Sequence, residues 1–203
     1  NFQAIPDKES DPKTLPIFSY TIYVDVTDVN GETHSTSTSV QVGYQSLQLG
    51  NNLSVELNNQ EDFTLRIQST NLNGQKIGSK GAIKVEKLQA PNRVFYGRKW
   101  ERPDLQKWTK EEFEKLYPNE AYTNEDDFHT WKVEKTAFET AFNTSVTDSV
   151  NFANLANWTP GVYKYTARAT DKNGIEIVNI AYFTLYNPTS KVAPSNEVVW
   201  IRQ

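Results

Sequence analysis

The chain lacks cysteine and methionine and holds only two histidines among its 203 residues. The absence of cysteine excludes thiol nucleophiles, thiolate metal sites and thiol redox chemistry. An animal extracellular β-protein of this size usually carries disulfides, whereas bacterial periplasmic and surface proteins often manage without them. The missing cysteines therefore favour a bacterial periplasmic or cell-surface location.

The scarcity of histidine limits the acid–base chemistry that the chain can perform. Neither His34 nor His129 stands near a Gly-x-Ser-x-Gly nucleophile motif, which argues against a Ser-His-Asp hydrolase. The paired carboxylates of a glycosidase stay open as an alternative, although no motif points to them. We therefore expect no enzymatic activity, no cofactor and no catalytic residue.

Long apolar runs and basic runs are also missing. No apolar stretch approaches the roughly 20 residues that span a bilayer, and neither an initiator methionine nor a signal peptide is visible. We expect an excerpt from a longer polypeptide, whose membrane attachment would come from a lipid anchor outside this chain. The net charge of −4 without a basic patch argues against nucleic acid as a partner.

What the chain does contain is an internal repeat, in which Tyr20–Gly31 reads almost as a copy of Tyr163–Gly174. A tyrosine, a Thr-Asp pair and an Asn-Gly pair fall at the same offsets in both stretches. The Asn-Gly pair is typical of a tight hairpin turn, and a weaker echo of it occurs at Thr70–Gly74. A period close to the size of a whole domain predicts tandem domains of one kind.

Period-2 alternation of apolar residues predicts a mainly β fold, an antiparallel β-sandwich of immunoglobulin-like type with about seven strands. We expect a linker over 1–16, the closing hairpin of a preceding, truncated domain over 17–44, and a complete sandwich over 45–187. Residues 188–203 are expected to be a linker and the start of a next module, with a strand near Ser195–Ile201.

A helical insertion over 101–131 interrupts the β pattern. Thr109 and Glu112 form a capping box, Trp108 is placed to contact Phe113, and Pro118 ends the helix. A second short helix is predicted near Thr123, where the acidic run that follows would face the positive end of a helix dipole.

Five aromatic residues cluster in and around this insertion and are the candidate interface residues: Trp100, Trp108, Tyr117, Tyr122 and Trp131. They could form a sugar-stacking platform or a protein interface, where tryptophan and tyrosine concentrate. They could equally fasten the insertion to the sandwich, which is the interpretation we favour.

Two acidic patterns invite a metal interpretation. Asp28 and Asp171 lack the further ligands of a calcium loop, so hairpin-turn chemistry explains them better. Glu125–Asp127 with His129 could form a metal cluster, but negative charge at a helix start is the favoured interpretation. We expect no metal site.

Three stretches resemble the macroglobulin-type β-sandwich domains of bacterial alpha-2-macroglobulin-like proteins, especially the long versions found in the Bacteroidetes. They are Tyr20–Val42, Leu65–Leu88 and Pro160–Gly174. The first and third are similar to the closing hairpin of such a domain, and the second to its central strands.

The resemblance implies a non-catalytic scaffold segment of a protease-trapping protein at the periplasm or surface of a Gram-negative bacterium. Such proteins trap proteases when a bait region is cleaved, and many carry a thioester within a Cys-x-Glu-Gln motif, which this chain lacks. The implied partners are other domains of the same polypeptide, and proteases through the full-length parent. The alternative is a carbohydrate-binding or adhesion module of a bacterial surface protein.

Overall fold

The computed structural model describes residues 4–5, 10–97, 101, 105–191 and 193–196. Within them the secondary structure is mainly β and is arranged in several sheets, as the period-2 pattern predicts. In chain order the strands are β1 Ile17–Thr27, β2 Thr33–Gly43, β3 Gln48–Asn51, β4 Glu56–Asn58, β5 Thr64–Thr70, β6 Lys80–Leu88, β7 Val133–Asn143, β8 Ser149–Asn151, β9 Gly161–Thr170 and β10 Glu176–Tyr186.

The helical elements of the described residues are short. The α-helix α1 covers Lys110–Leu116, and 3₁₀ turns cover Pro12–Thr14, Phe128–Thr130 and Leu155–Asn157. None of them has the length and apolar character that crossing a bilayer requires.

Two sheets pack face to face and form the sandwich. One has the strand order β3-β5-β8, and the other has the order β4-β10-β9-β6-β7. All pairings are antiparallel except that of β4 with β10, which is parallel. The chain therefore changes sheets between β3 and β4. The seven strands predicted for this part are all present, and the additional strand β4 was missed because three residues are too few to show an alternation.

The core lies between these sheets because alternate side chains of each strand point inward. On β9 the inward positions begin with Tyr163 and Tyr165, both completely buried. The ring of Tyr163 stacks on Phe183 of β10, with 5.3 Å between centroids. The largest fully buried side chains are Tyr163, Tyr165, Phe183, Leu47, Leu65, Ile67, Ile83, Leu185 and Val85.

The remaining two strands, β1 and β2, pair with each other and form a separate, long hairpin. Most of its residues are exposed, in agreement with the polar character of β2. The turn is closed by Gly31, whose φ of +84° lies in the region that glycine tolerates best.

The insertion follows the predicted capping box but departs from the second predicted helix. Thr109 caps α1, with the reciprocal contact from Glu112. No helix begins at Thr123, where the chain forms bends and a turn, and the N–H of Thr123 donates to the side chain of Glu125 at 2.7 Å. Instead, one 3₁₀ turn begins after Asp127, whose carboxylate accepts the N–H of His129.

The chain beyond β10 returns to the segment that leads into the insertion. The N–H of Phe95 donates to the Asn196 carbonyl at 2.6 Å, and the Asn196 amide donates to the Arg93 carbonyl at 2.7 Å. The strand predicted near Ser195–Ile201 lies outside the described residues from Glu197 onwards.

Candidate functional site

Three of the predicted interface aromatics surround one side chain of α1, that of Phe113. Its ring lies 5.0 Å from Tyr117 and 5.4 Å from Tyr122, and Trp108 contacts Tyr117 edge-on at 5.8 Å. The Tyr122 hydroxyl donates to the Trp108 carbonyl at 3.0 Å. Trp108 was predicted to contact Phe113. It contacts Tyr117 instead, one helical turn further along the chain.

Trp131 belongs to a second aromatic group, which reaches the sandwich. Its indole N–H donates to the Glu125 carbonyl at 2.8 Å, and its ring meets Phe128 edge-on. Phe128 in turn packs on Tyr182 of β10 at 5.3 Å. Trp100 lies outside the described residues.

The four described aromatics thus form two separate groups rather than one platform. A sugar-stacking platform needs ring faces that are open to solvent, whereas these rings contact one another, the insertion backbone or β10. The Trp131 group reaches the sandwich through Phe128 and Tyr182, whereas the contacts of the group around Phe113 lie within the insertion, so the fastening role stays a prediction.

Arg93 is a central contact of the insertion that the sequence did not point to. Its guanidinium binds Glu114 at 2.7 Å and donates to the carbonyls of Tyr117, Pro118 and Glu120 at 3.0–3.4 Å. These carbonyls lie at the C-cap of α1 and in the segment just after it. Arg93 therefore joins the start of the insertion to the end of its helix.

The acidic run near His129 does not converge on one point. Asp127 accepts from the His129 ring at 2.7 Å, while Glu125 pairs with Lys110 at 3.2 Å. Burial alone would raise the pKa of Glu125, but hydrogen bonds from Thr123 and the nearby Lys110 hold it below its ordinary value. In the described part of the chain, no group of three or more histidine or carboxylate residues is placed to hold a metal.

In each Asp-x-Asn-Gly turn, one carboxylate oxygen accepts N–H groups of the same turn. Asp28 Oδ1 accepts the N–H groups of Asn30 and Glu32 at 2.8 and 2.9 Å. Asp171 repeats this pattern with Asn173 and Ile175 at 2.8 and 3.0 Å. Asn71 does the same with its amide oxygen, at 3.0 Å for both bonds. One local turn chemistry accounts for all three sites.

An open groove of about 780 Å³ runs along β5 beside the turns that precede β6 and β8. Asp148 is the one carboxylate that lines it, and its cationic residues are Arg66 and Lys76. Among the described residues that line the groove there is no carboxylate pair and no histidine.

The surface that stands out is on the β1–β2 hairpin. Its pairing repeats that of β9–β10 residue for residue, because Tyr20 faces Val40 as Tyr163 faces Phe183. We call the face that carries Tyr20, Ile22, Val24 and Val26 of β1, together with Val40 of β2, the hairpin face. Ala167 and Ala169 of β9, which match Val24 and Val26, are 0% and 4% exposed, whereas the two valines are 42% and 60% exposed.

Comparison with known proteins adds no relative. Neither a scan against models of protein families nor a search of curated proteins returns a match for this chain.

Proposed function

We propose that the chain is a non-catalytic scaffold segment of a larger, alpha-2-macroglobulin-like protease-trapping protein, which we call the parent. In this proposal the parent acts in the periplasm or at the surface of a Gram-negative bacterium. The β1–β2 hairpin closes a preceding macroglobulin-type domain, and β3–β10 form the next domain. The observation that carries the proposal is the hairpin in the register of β9–β10, with Val24 and Val26 of its apolar face exposed.

The immunoglobulin-like type of the sandwich has support from one local contact. The Tyr163 hydroxyl donates at 2.7 Å to the carbonyl of Thr159, four residues upstream. A buried tyrosine near the start of a strand that bonds back to the preceding backbone is a hallmark of immunoglobulin-like sandwiches. The division of the first strand between the two sheets, as β3 and β4, supports the same type.

The partly exposed hairpin face supports a string of similar domains. Two strands alone are marginally stable in water, and burying a valine or isoleucine side chain contributes about 1.5–3 kcal/mol. The β9–β10 hairpin gains this stabilisation from the β3-β5-β8 sheet. A corresponding sheet that precedes β1 in the parent would cover Ile22, Val24 and Val26 in the same way.

A scaffold role is also consistent with the side chains that the sandwich presents. The acidic and aromatic candidates are engaged in turns, caps and ring contacts. Because the chain has no cysteine, a thioester of the parent would lie in another segment.

The proposal is tested by treating the purified parent with several unrelated proteases. We expect cleavage within one exposed segment, followed by a compaction that small-angle X-ray scattering records as a smaller radius of gyration. The protease should stay associated and retain activity on a small substrate while losing activity on a large protein. A parent that resists all the proteases, or that keeps its shape after cleavage, would refute the proposal.

A further inference from the structure

The side chain of Asn73 in the sandwich forms hydrogen bonds with both the N–H and the carbonyl of Gln41 on the β1–β2 hairpin. The N–H of Gln41 donates to Asn73 Oδ1 at 2.8 Å, and Asn73 Nδ2 donates to the Gln41 carbonyl at 3.0 Å. A carboxamide carries an acceptor and a donor side by side, as a peptide group does, so it can pair with a strand edge as a neighbouring strand would. Asn73 lies in the turn between β5 and β6.

The β9–β10 hairpin, which has the same register as β1–β2, shows which strand pairing the Asn73 contact replaces. Gln41 of β2 faces Ser19, and its counterpart Thr184 of β10 faces Val162 in the same way. The N–H of Thr184 donates to the Val55 carbonyl at 2.8 Å, and Thr184 pairs with Glu56 of β4. Asn73 therefore occupies the position on the β2 edge that corresponds to the position of β4 on the β10 edge.

We propose that Asn73 is a latch between consecutive domains, whose amide acts as a one-residue strand on the β2 edge. It holds the hairpin, and with it the preceding domain, in one orientation relative to the sandwich. The inference that the latch orients a whole preceding domain rests on the proposed function, because it is the proposed function that makes the β1–β2 hairpin part of such a domain.

Neighbouring contacts belong to the same junction. Leu72, beside the latch, is 8% exposed, and a Cβ placed on Gly43 would lie 3.1 Å from its Cδ1. Further along, Ser46 donates to Asp171 Oδ2 through its N–H at 2.7 Å and its hydroxyl at 2.9 Å. The turn before β6 thus binds the end of β2, and the turn before β10 binds the segment that follows it.

The latch also defines which preceding domain fits. A domain whose own first strand paired with β2 at Gln41, as β4 pairs with β10, would compete with Asn73 for the same two atoms. The fitting partner is a sandwich that leaves the Gln41 edge free and approaches the hairpin through its apolar face.

Distance measurement by double electron–electron resonance tests the latch in the whole 203-residue chain. Because the chain has no cysteine, cysteines at the exposed positions Ser37 on β2 and Lys135 on β7 would be the sole labelling sites. Asn73→Ala removes both hydrogen bonds, and Asn73→Asp keeps the acceptor but sets an oxygen against the Gln41 carbonyl. Asn30→Ala is the matched control for Asn73→Ala, since Asn30 has the same turn position and the described bond of its side chain, to Asp28, lies within its own turn.

We expect a single narrow distance in the unmodified chain and in Asn30→Ala, and the loss of that narrow distance in both Asn73 variants. Circular dichroism melting of each variant verifies that the sandwich stays folded. A narrow, unshifted distance in folded Asn73→Asp would overturn the latch while leaving the scaffold role intact. Loss of the narrow distance, combined with a parent that ignores proteases, would refute the scaffold role and leave the latch standing.

Discussion

At the scale of single residues, two tyrosines of β9 allow the stabilisation that comes from burial to be distinguished from that of a hydrogen bond. Tyr163 and Tyr165 are both completely buried, and burial raises the pKa of each to about 12. The Tyr163 hydroxyl donates to Thr159, whereas that of Tyr165 has no partner within the described residues. Tyr163→Phe therefore removes a hydroxyl that forms a hydrogen bond, whereas Tyr165→Phe removes a buried hydroxyl that forms none within the described residues.

We expect Tyr163→Phe to lower the free energy of unfolding by about 0.5–1.5 kcal/mol, because the hydrogen bond to the Thr159 carbonyl is lost. Tyr165→Phe should leave the free energy unchanged or raise it, since it removes a buried hydroxyl that is not bonded. Equilibrium unfolding in urea measures both variants. Equal losses at the two positions would contradict this account of the tyrosine contact.

Asp171 differs from Asp28 in reaching beyond its own turn. Burial by itself raises the pKa of Asp171, but hydrogen bonds from Ser46, Ile175 and Asn173 outweigh it and hold the pKa below its ordinary value. Asp171→Asn should lower the free energy of unfolding by about 1.5–3 kcal/mol at neutral pH, because a charged acceptor of Ser46 is lost.

The pH dependence of that effect has a definite sign. A carboxyl with a lowered folded pKa stabilises the fold above its unfolded pKa, and this stabilisation is lost as the pH falls through the folded pKa. The difference between the unmodified chain and Asp171→Asn should therefore shrink below about pH 4. Asp28→Asn is the control, and a loss equal to that of Asp171→Asn would contradict the role of Ser46.

At the scale of elements, the insertion depends on contacts from outside its own helix. The seven residues of α1 are too few for a helix that is stable alone in water. The capping box satisfies its first turn, while Arg93 and the aromatic group around Phe113 hold its other end.

Arg93→Ala should speed amide hydrogen exchange across residues 105–131 and leave the exchange of β9 unchanged. The physical reason is that three carbonyls after α1 and Glu114 lose their donor together. Arg168→Ala is the matched control, because Arg168 lies on the exposed sheet face and pairs with Glu176. Unchanged exchange in Arg93→Ala would show that the aromatic contacts suffice.

Local signals explain which elements were predictable. The capping box at Thr109 was predicted correctly because its partner is three residues away. The contacts of Arg93 lie 21–27 residues away, and those of Asn73 lie 32 away, so sequence spacing gives no sign of them. The helix predicted near Thr123 was wrong because the capping residue is Asp127, which accepts the His129 N–H, and only the three-residue 3₁₀ turn Phe128–Thr130 follows it.

At the scale of the whole molecule, the two edges of the β1–β2 hairpin differ. The β2 edge is occupied by Asn73 at Gln41. The counterpart of the β1 edge, on β9, is paired by β6 from Tyr163 to Ala169, which matches Tyr20–Val26. The internal repeat predicted the common hairpin register, and the structure confirms it. The domain assignment and the protease-trapping role stay predictions.

The most direct test of the string of similar domains compares amide hydrogen exchange of β1 in the 203-residue chain and in the parent. If a preceding sandwich covers the hairpin face and pairs with the β1 edge, the amides of Tyr20–Val26 should exchange fast in the short chain. In the parent they should become as protected as those of β9, while β9 itself stays unchanged. Equally fast exchange of Tyr20–Val26 in both proteins would contradict the account.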